Sequence, residues 1–122
     1  MTNPARSQLD ERVRPKAAKH LRQFSREVNG RFPGQVSKIL LFGSRARGDA
    51  KSKSDYDVAV VMTAIDDRRA VDHQLADLAY PHILAGVHIR PMSVPASALD
   101  GGADRPLIAN LKRDGLEVGH GP

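Results

Sequence analysis

Two aspartates one residue apart, Asp55 and Asp57, stand at the head of an apolar run that continues to Met62. Side chains two apart on a strand share a face. Asp55 and Asp57 are therefore expected to project together, Ala59 and Val61 to carry that face into the core, and Tyr56, Val58, Val60 and Met62 to take the other side. Paired carboxylates at the end of a buried strand repel each other and lose hydration, and a bound cation relieves both costs. Magnesium takes oxygen ligands, commonly one or two carboxylates plus substrate phosphates. Two such ions can align an attacking oxygen and polarise a phosphorus centre.

A second feature precedes this one. Gly43-Ser44 ends an apolar run, and ten residues separate it from Asp55. Glycine permits positive φ and close backbone approach. Serine can cap a following helical turn while its hydroxyl and nearby amides face an anion. The connection carries Arg45, Arg47, Lys51 and Lys53, cations able to attract or hold a triphosphate. Taken singly, a Gly-Ser pair is usually a turn, an Asp-x-Asp a solvated strand end, and a basic stretch a solvated loop. Their ordered combination is far more specific.

The elements that must position these residues follow from periodicity. Residues 1–8 read as a mobile terminus. Leu9, Val13, Ala17, Leu21, Phe24 and Val28 recur at helical spacing, with Pro15 marking either the true helix start or a kink. Asn29, Gly30, Pro33 and Gly34 form a turn cluster. Val36 to Phe42 is a buried strand, Asp55 to Met62 a second, and Asp66 to Ala85 a helix with Val71, Leu75, Leu78 and Ala79 buried and Gly86 as its stop. Val87 to Val94 is a third strand, placed at an edge or bulge by Pro91. Asp100 to Asp104, with Gly101-Gly102, reads as a loop and Pro106 to Arg113 as a short helix. Gly115 to Val118 reads as a final strand, and residues 119–122 as a frayed end. This alternation predicts one domain over residues 1–122, of α+β (α/β) class, with a small sheet covered by helices.

Composition narrows the functional classes. The chain has 122 residues and no cysteine, so thiolate metal sites, redox motifs and disulfides are excluded. No apolar run approaches a membrane span, and the first residues lack a signal peptide's apolar core. With the missing cysteines, this points to the cytoplasm. The net charge of +5 favours an anionic partner, either nucleotide, nucleic acid or acidic protein. No basic tail or aromatic series suggests nucleic acid in particular. His20, His73, His82 and His120 lack metal-ligand spacing and read as surface or cap residues, and Tyr80 as a helix-end core residue.

The segment LFGSRARGDAKSKSDYDVAVV resembles the signature of minimal nucleotidyltransferases, small relatives of DNA polymerase β. Its ten-residue spacing is similar to the branch that pairs with HEPN-type proteins in toxin–antitoxin modules, and the ending RPLIANLKRDGLEV resembles the family's closing segment. The resemblance implies the nucleotidyltransferase fold, a small mixed sheet flanked by helices. It implies that Gly43 and Ser44, aided by Arg45 and Arg47, bind a nucleotide's phosphates. Asp55 and Asp57 would be the catalytic carboxylates and would hold magnesium, two ions in the full arrangement, with manganese as a substitute. The implied reaction moves AMP from ATP to a hydroxyl, a tyrosine of the HEPN-type toxin in that branch, so that the chain acts as an antitoxin. Larger relatives carry added substrate domains, and a chain this short points to an acceptor in trans. The amphipathic first helix is a candidate surface for that partner or for a second copy.

One departure stands out. The superfamily usually supplies a third carboxylate from a later strand, and Val87 to Met92 contains none. His88 or Arg90 takes that place. Imidazole suits softer ions than magnesium, whereas an arginine there would pair with Asp55 or Asp57 and compete with the metal. Asp49 is another acid within reach in sequence. The loss raises the alternative of a degenerate antitoxin that acts by binding alone. The basic pI motivates a second alternative, a small nucleic-acid-binding domain with salt-dependent affinity.

Overall fold

The proline inside the first helical pattern is a boundary. In the computed structural model, which describes residues 8–47, 55–101 and 105–120, helix α1 spans Gln8–Arg12 and helix α2 spans Pro15–Arg31. Pro15 sits in the first turn of α2, where its missing amide is no loss, and Arg14 before it is extended, as a residue preceding proline prefers. α2 buries Ala17, Ala18, Leu21, Phe24, Ser25 and Val28, the stripe its spacing predicts. Gln8 is already helical, and residues 1–7 lie outside the described residues.

Strand β1 (Val36–Phe42) follows, then helix α3 (Ser44–Arg47) and strand β2 (Tyr56–Met62). Helix α4 (Arg68–Leu84) crosses over to strand β3 (Ile89–Pro95). The side chain of Asp67 caps α4 by accepting from the Ala70 amide at 3.1 Å. Gly86, at φ +98°, turns the chain out of α4 as expected. Helices α5 (Ala96–Gly101) and α6 (Pro106–Asp114) then lead to strand β4 (Leu116–His120). The sheet order is β3-β2-β1-β4. β1 runs antiparallel to β2 and β4, and β2 runs parallel to β3, so the sheet is mixed. The parallel pair needs a crossover, which α4 supplies.

Helices cover both faces. Ile39, Leu41, Val58, Val60 and Met62 pack with α2 and α4 residues such as Leu21, Phe24 and Leu75. Leu40, Ala59, Val61 and Val94 pack with Ile108 and Leu111 of α6. Burial on two sides explains the unbroken apolar run of β1. Pro91 is tolerated because β3 is an edge strand. Among the described residues no helix is long and apolar enough to cross a membrane.

Four expectations need correction. Asp100 and Gly101 close a short helix, α5, and residues 102–104 lie outside the described residues. Gly119 and His120 do not fray, since they pair with Ile39 and Lys38 in β4. Tyr80 is 58% exposed and so is no core residue. His82 is no surface residue. It is 3% exposed, enclosed where α4 packs on α2.

Candidate active site

The site grows from the end of the β1–β2 pair. Phe42 lies in register with Asp57, so the chain leaves β1 beside the second carboxylate. There Gly43 adopts φ +77°, the left-handed region that L side chains avoid. A Cβ at Gly43 would also stand 2.8 Å from Asp57 Oδ2. Glycine is thus required twice, once for its dihedral and once for the room it leaves the carboxylate. Ser44, half-buried, opens α3, and the Gly43 carbonyl accepts from the amides of Ala46 and Arg47 at 3.1 and 3.2 Å. The far end of α3 is tied to α1, because Arg12 Nη1 donates to the carbonyls of Ala46 and Arg47 at 3.4 and 2.9 Å.

Asp55 and Asp57 converge. Arg90 Nε donates to Asp57 Oδ1 at 2.7 Å, and Arg90 Nη1 lies 3.6 Å from Asp55 Oδ2. One cationic group therefore reaches both carboxylates. The contact follows from the parallel register, which sets Arg90 opposite Asp57 on the same face of the sheet. His88, the other residue considered for this place, precedes β3, is exposed, and contributes its backbone carbonyl to the Tyr56 amide at 2.9 Å. The hydrogen bond and charge of Asp57, and then the charge of Asp55, hold the Arg90 guanidinium even more firmly protonated than usual. The Arg90 side chain is 69% exposed and that of Asp57 only 19%, so water weakens the pair from the arginine side.

Beside these charges runs a cleft of about 370 Å³ lined by Phe42, Asp57, Arg90, Pro91 and Met92. Its apolar residues escaped the sequence reading. The available signal was parity: Phe42 directly precedes Gly43, and Met92 is two residues beyond Arg90.

The remaining candidates are placed differently. The Arg45 guanidinium stacks over the Tyr56 ring, 4.4 Å from its centroid, and Tyr56 packs on the side of the sheet opposite Asp57. Arg47 Nη1 lies 3.8 Å from Asp114 Oδ2 at the end of α6. Gly48, Asp49, Lys51 and Lys53 lie outside the described residues. Among the described residues no group of three or more His, Cys, Asp or Glu could hold a metal ion. Asp55 and Asp57 still suit magnesium, since both are hard oxygen donors, one cationic group already bridges them, and Gly43 leaves Asp57 unobstructed. A substrate's phosphates could supply further oxygen ligands.

A polar relay sits away from the cleft. His82 Nε2 lies 2.8 Å from Glu27 Oε1, and His82 Nδ1 lies 2.8 Å from His20 Nδ1. A carboxylate only accepts, so Nε2 of His82 donates to it. Between His82 and His20 the donor is set by the tautomers of the two rings. Burial, then the His82 ring and the charges of Lys16 and Lys19, lower the pKa of His20 below the ordinary 6.5.

Comparison with known proteins agrees with this fold. Two Methanocaldococcus jannaschii proteins named as protein adenylyltransferases are similar to the chain, one 40% identical over 43 residues and the other 32% identical over 93. The chain spans 43% and 63% of their lengths, while the matches cover 35% and 75% of this chain. The fold resembles that in a crystal structure described as a nucleotidyltransferase of Sulfolobus solfataricus, with TM-score 0.60, 20% identity and coverage of 96% of this chain and 90% of that one. It also resembles a chain in the structure of a mutant toxin–antitoxin MntA–HpeT, with TM-score 0.56, 17% identity and coverage of 83% and 73%. At these identities the likeness is one of fold. Residues 21–90, more than half of the 122, match the family described as a nucleotidyltransferase domain. They contain Gly43, Ser44, both aspartates and Arg90, and the chain belongs to that family.

Proposed function

We propose that the chain is a magnesium-dependent nucleotidyltransferase that moves AMP from ATP to a hydroxyl, a tyrosine side chain, of a HEPN-type toxin, and so acts as its antitoxin. The observation that carries this reading is the convergence of Asp55 and Asp57 at the start of β2, with Gly43 leaving open the space beside Asp57. The names of the two M. jannaschii relatives support protein adenylylation, and the fold shared with a toxin–antitoxin chain supports the partner class.

In this reading Asp55 and Asp57 hold the metal, and Gly43 and Ser44 receive the phosphates. Bound metal would neutralise charge on the α-phosphate and orient the acceptor oxygen. The acceptor oxygen bonds to the α-phosphorus, the α–β bridging bond breaks, and pyrophosphate leaves. Arg90, not an acid, stands opposite Asp57 in the register, and in this reading the hydroxyl's proton is released to solvent. The apolar walls of Phe42, Pro91 and Met92 suit a flat ring beside the reacting centre.

The contact of Arg90 with both carboxylates favours a second reading, in which the chain neutralises its partner by binding alone. One experiment separates them. The protein and its partner are incubated with labelled ATP and magnesium, alongside Asp57→Asn. Label on a partner tyrosine, lost in the variant together with neutralisation, is the expected result. A stable complex that neutralises without label, with Asp57→Asn equally effective, would establish the binding-only reading.

A further inference from the structure

We propose that Arg90 is a resident counter-cation that closes the paired carboxylates to a free divalent ion and releases them when a nucleotide's phosphates give its guanidinium a new partner. The inference rests on the reading that Asp55 and Asp57 hold a metal. The same guanidinium touches Asp57 at 2.7 Å and Asp55 at 3.6 Å, where a shared cation would sit. The place is set by backbone register, Asp57 opposite Arg90. The arrangement is therefore more than one side-chain rotamer. A metal ion arriving alone must displace the guanidinium and tolerate its charge nearby. Coulomb repulsion and the lost ion pair both oppose that step.

A metal–nucleotide complex meets a different balance. Arg90 is on the edge strand β3 and is 69% exposed, so it can turn without disturbing packing. Of the described residues lining the cleft, only Asp57 is anionic; Phe42, Pro91 and Met92 offer Arg90 nothing in exchange. A phosphate does, because guanidinium pairs with it in fork geometry. Metal takes the carboxylates and arginine takes the phosphate, so both partners of the broken ion pair gain a new one. Arg90 is then a positioning residue, and its effect is to make metal entry depend on nucleotide.

The test measures manganese binding to the full chain by electron paramagnetic resonance, for wild type, R90Q and D57N. With manganese alone, R90Q is expected to bind roughly tenfold more tightly than wild type. Supplied as the manganese complex of a non-hydrolysable ATP analogue, wild type is expected to bind at least as tightly as R90Q. The exposed position of Arg90 predicts a cooperative thermal unfolding transition for R90Q with only a small shift, which reports that the variant is folded. Equal affinities of wild type and R90Q for manganese alone, with D57N not binding, would overturn the counter-cation role and leave the metal site standing. No binding by any of the three, with or without nucleotide, would overturn the metal reading and the inference with it.

Discussion

Gly43 and Gly34 form a natural pair of probes. Both adopt positive φ, +77° and +74°, but a Cβ at Gly34 would meet nothing within 4 Å, whereas one at Gly43 would stand 2.8 Å from Asp57 Oδ2. Alanine at either position should cost about 1–2 kcal/mol for the left-handed backbone alone. In a domain of this size that lowers Tm by about 3–8 °C. The extra collision at Gly43 falls on the end of a flexible carboxylate, which can turn aside at small cost in stability. Turning it aside moves the proposed metal ligand by roughly an ångström, and misplacement on that scale costs about 100-fold in rate. Thermal unfolding of Gly34→Ala and Gly43→Ala should therefore agree closely, while AMP transfer and manganese binding collapse only in Gly43→Ala. Equal activity in the two variants would refute the argument that Gly43 is kept for the sake of Asp57.

Two further outcomes follow from the surrounding elements. The folded pKa of His20 lies below the ordinary 6.5, so the unfolded chain binds the proton more readily. Stability from this source is complete above that value and declines as pH falls through it. Tm measured from pH ~8 down to ~5 should drop, and His20→Gln should flatten the profile; an unchanged slope would remove His20 as its origin. Arg12→Ala frees the carbonyls of Ala46 and Arg47. The lost bonds are solvent-accessible, so denaturant unfolding should show a loss of about 1 kcal/mol. KM for ATP should rise more than kcat falls, and an unaltered KM would show that α1 does not steady α3.

What could be read from the sequence was governed by local period. The shared face of Asp55 and Asp57, the α2 stripe and the bounds of β1 depend on alternation or helical spacing, and each was legible. The partner of Asp57 was not, because parity along β3 cannot say which residue stands opposite until the register is known. His88 and Arg90 share that parity. The contacts of Arg45 with Tyr56 and of Arg47 with Asp114 were not legible either, since Asp114 is remote in sequence. His82 gave no sign of burial, since its enclosure depends on how α4 packs on α2. Helix α5 is only six residues long, too short for a period to emerge.

The sheet order has a kinetic meaning as well. β2 is hydrogen-bonded to β1 on one side and β3 on the other, and most of its residues are buried. Its amides should exchange with solvent only through opening of the whole sheet. Asp57 thus rides on a strand expected to exchange slowly. Arg90 stands on an edge strand, and Gly43 and Ser44 lead into a four-residue helix held from outside by Arg12. Asp57 is thus a fixed anvil, and the groups that in the proposed reading would yield to a nucleotide belong to segments that can open without unfolding it.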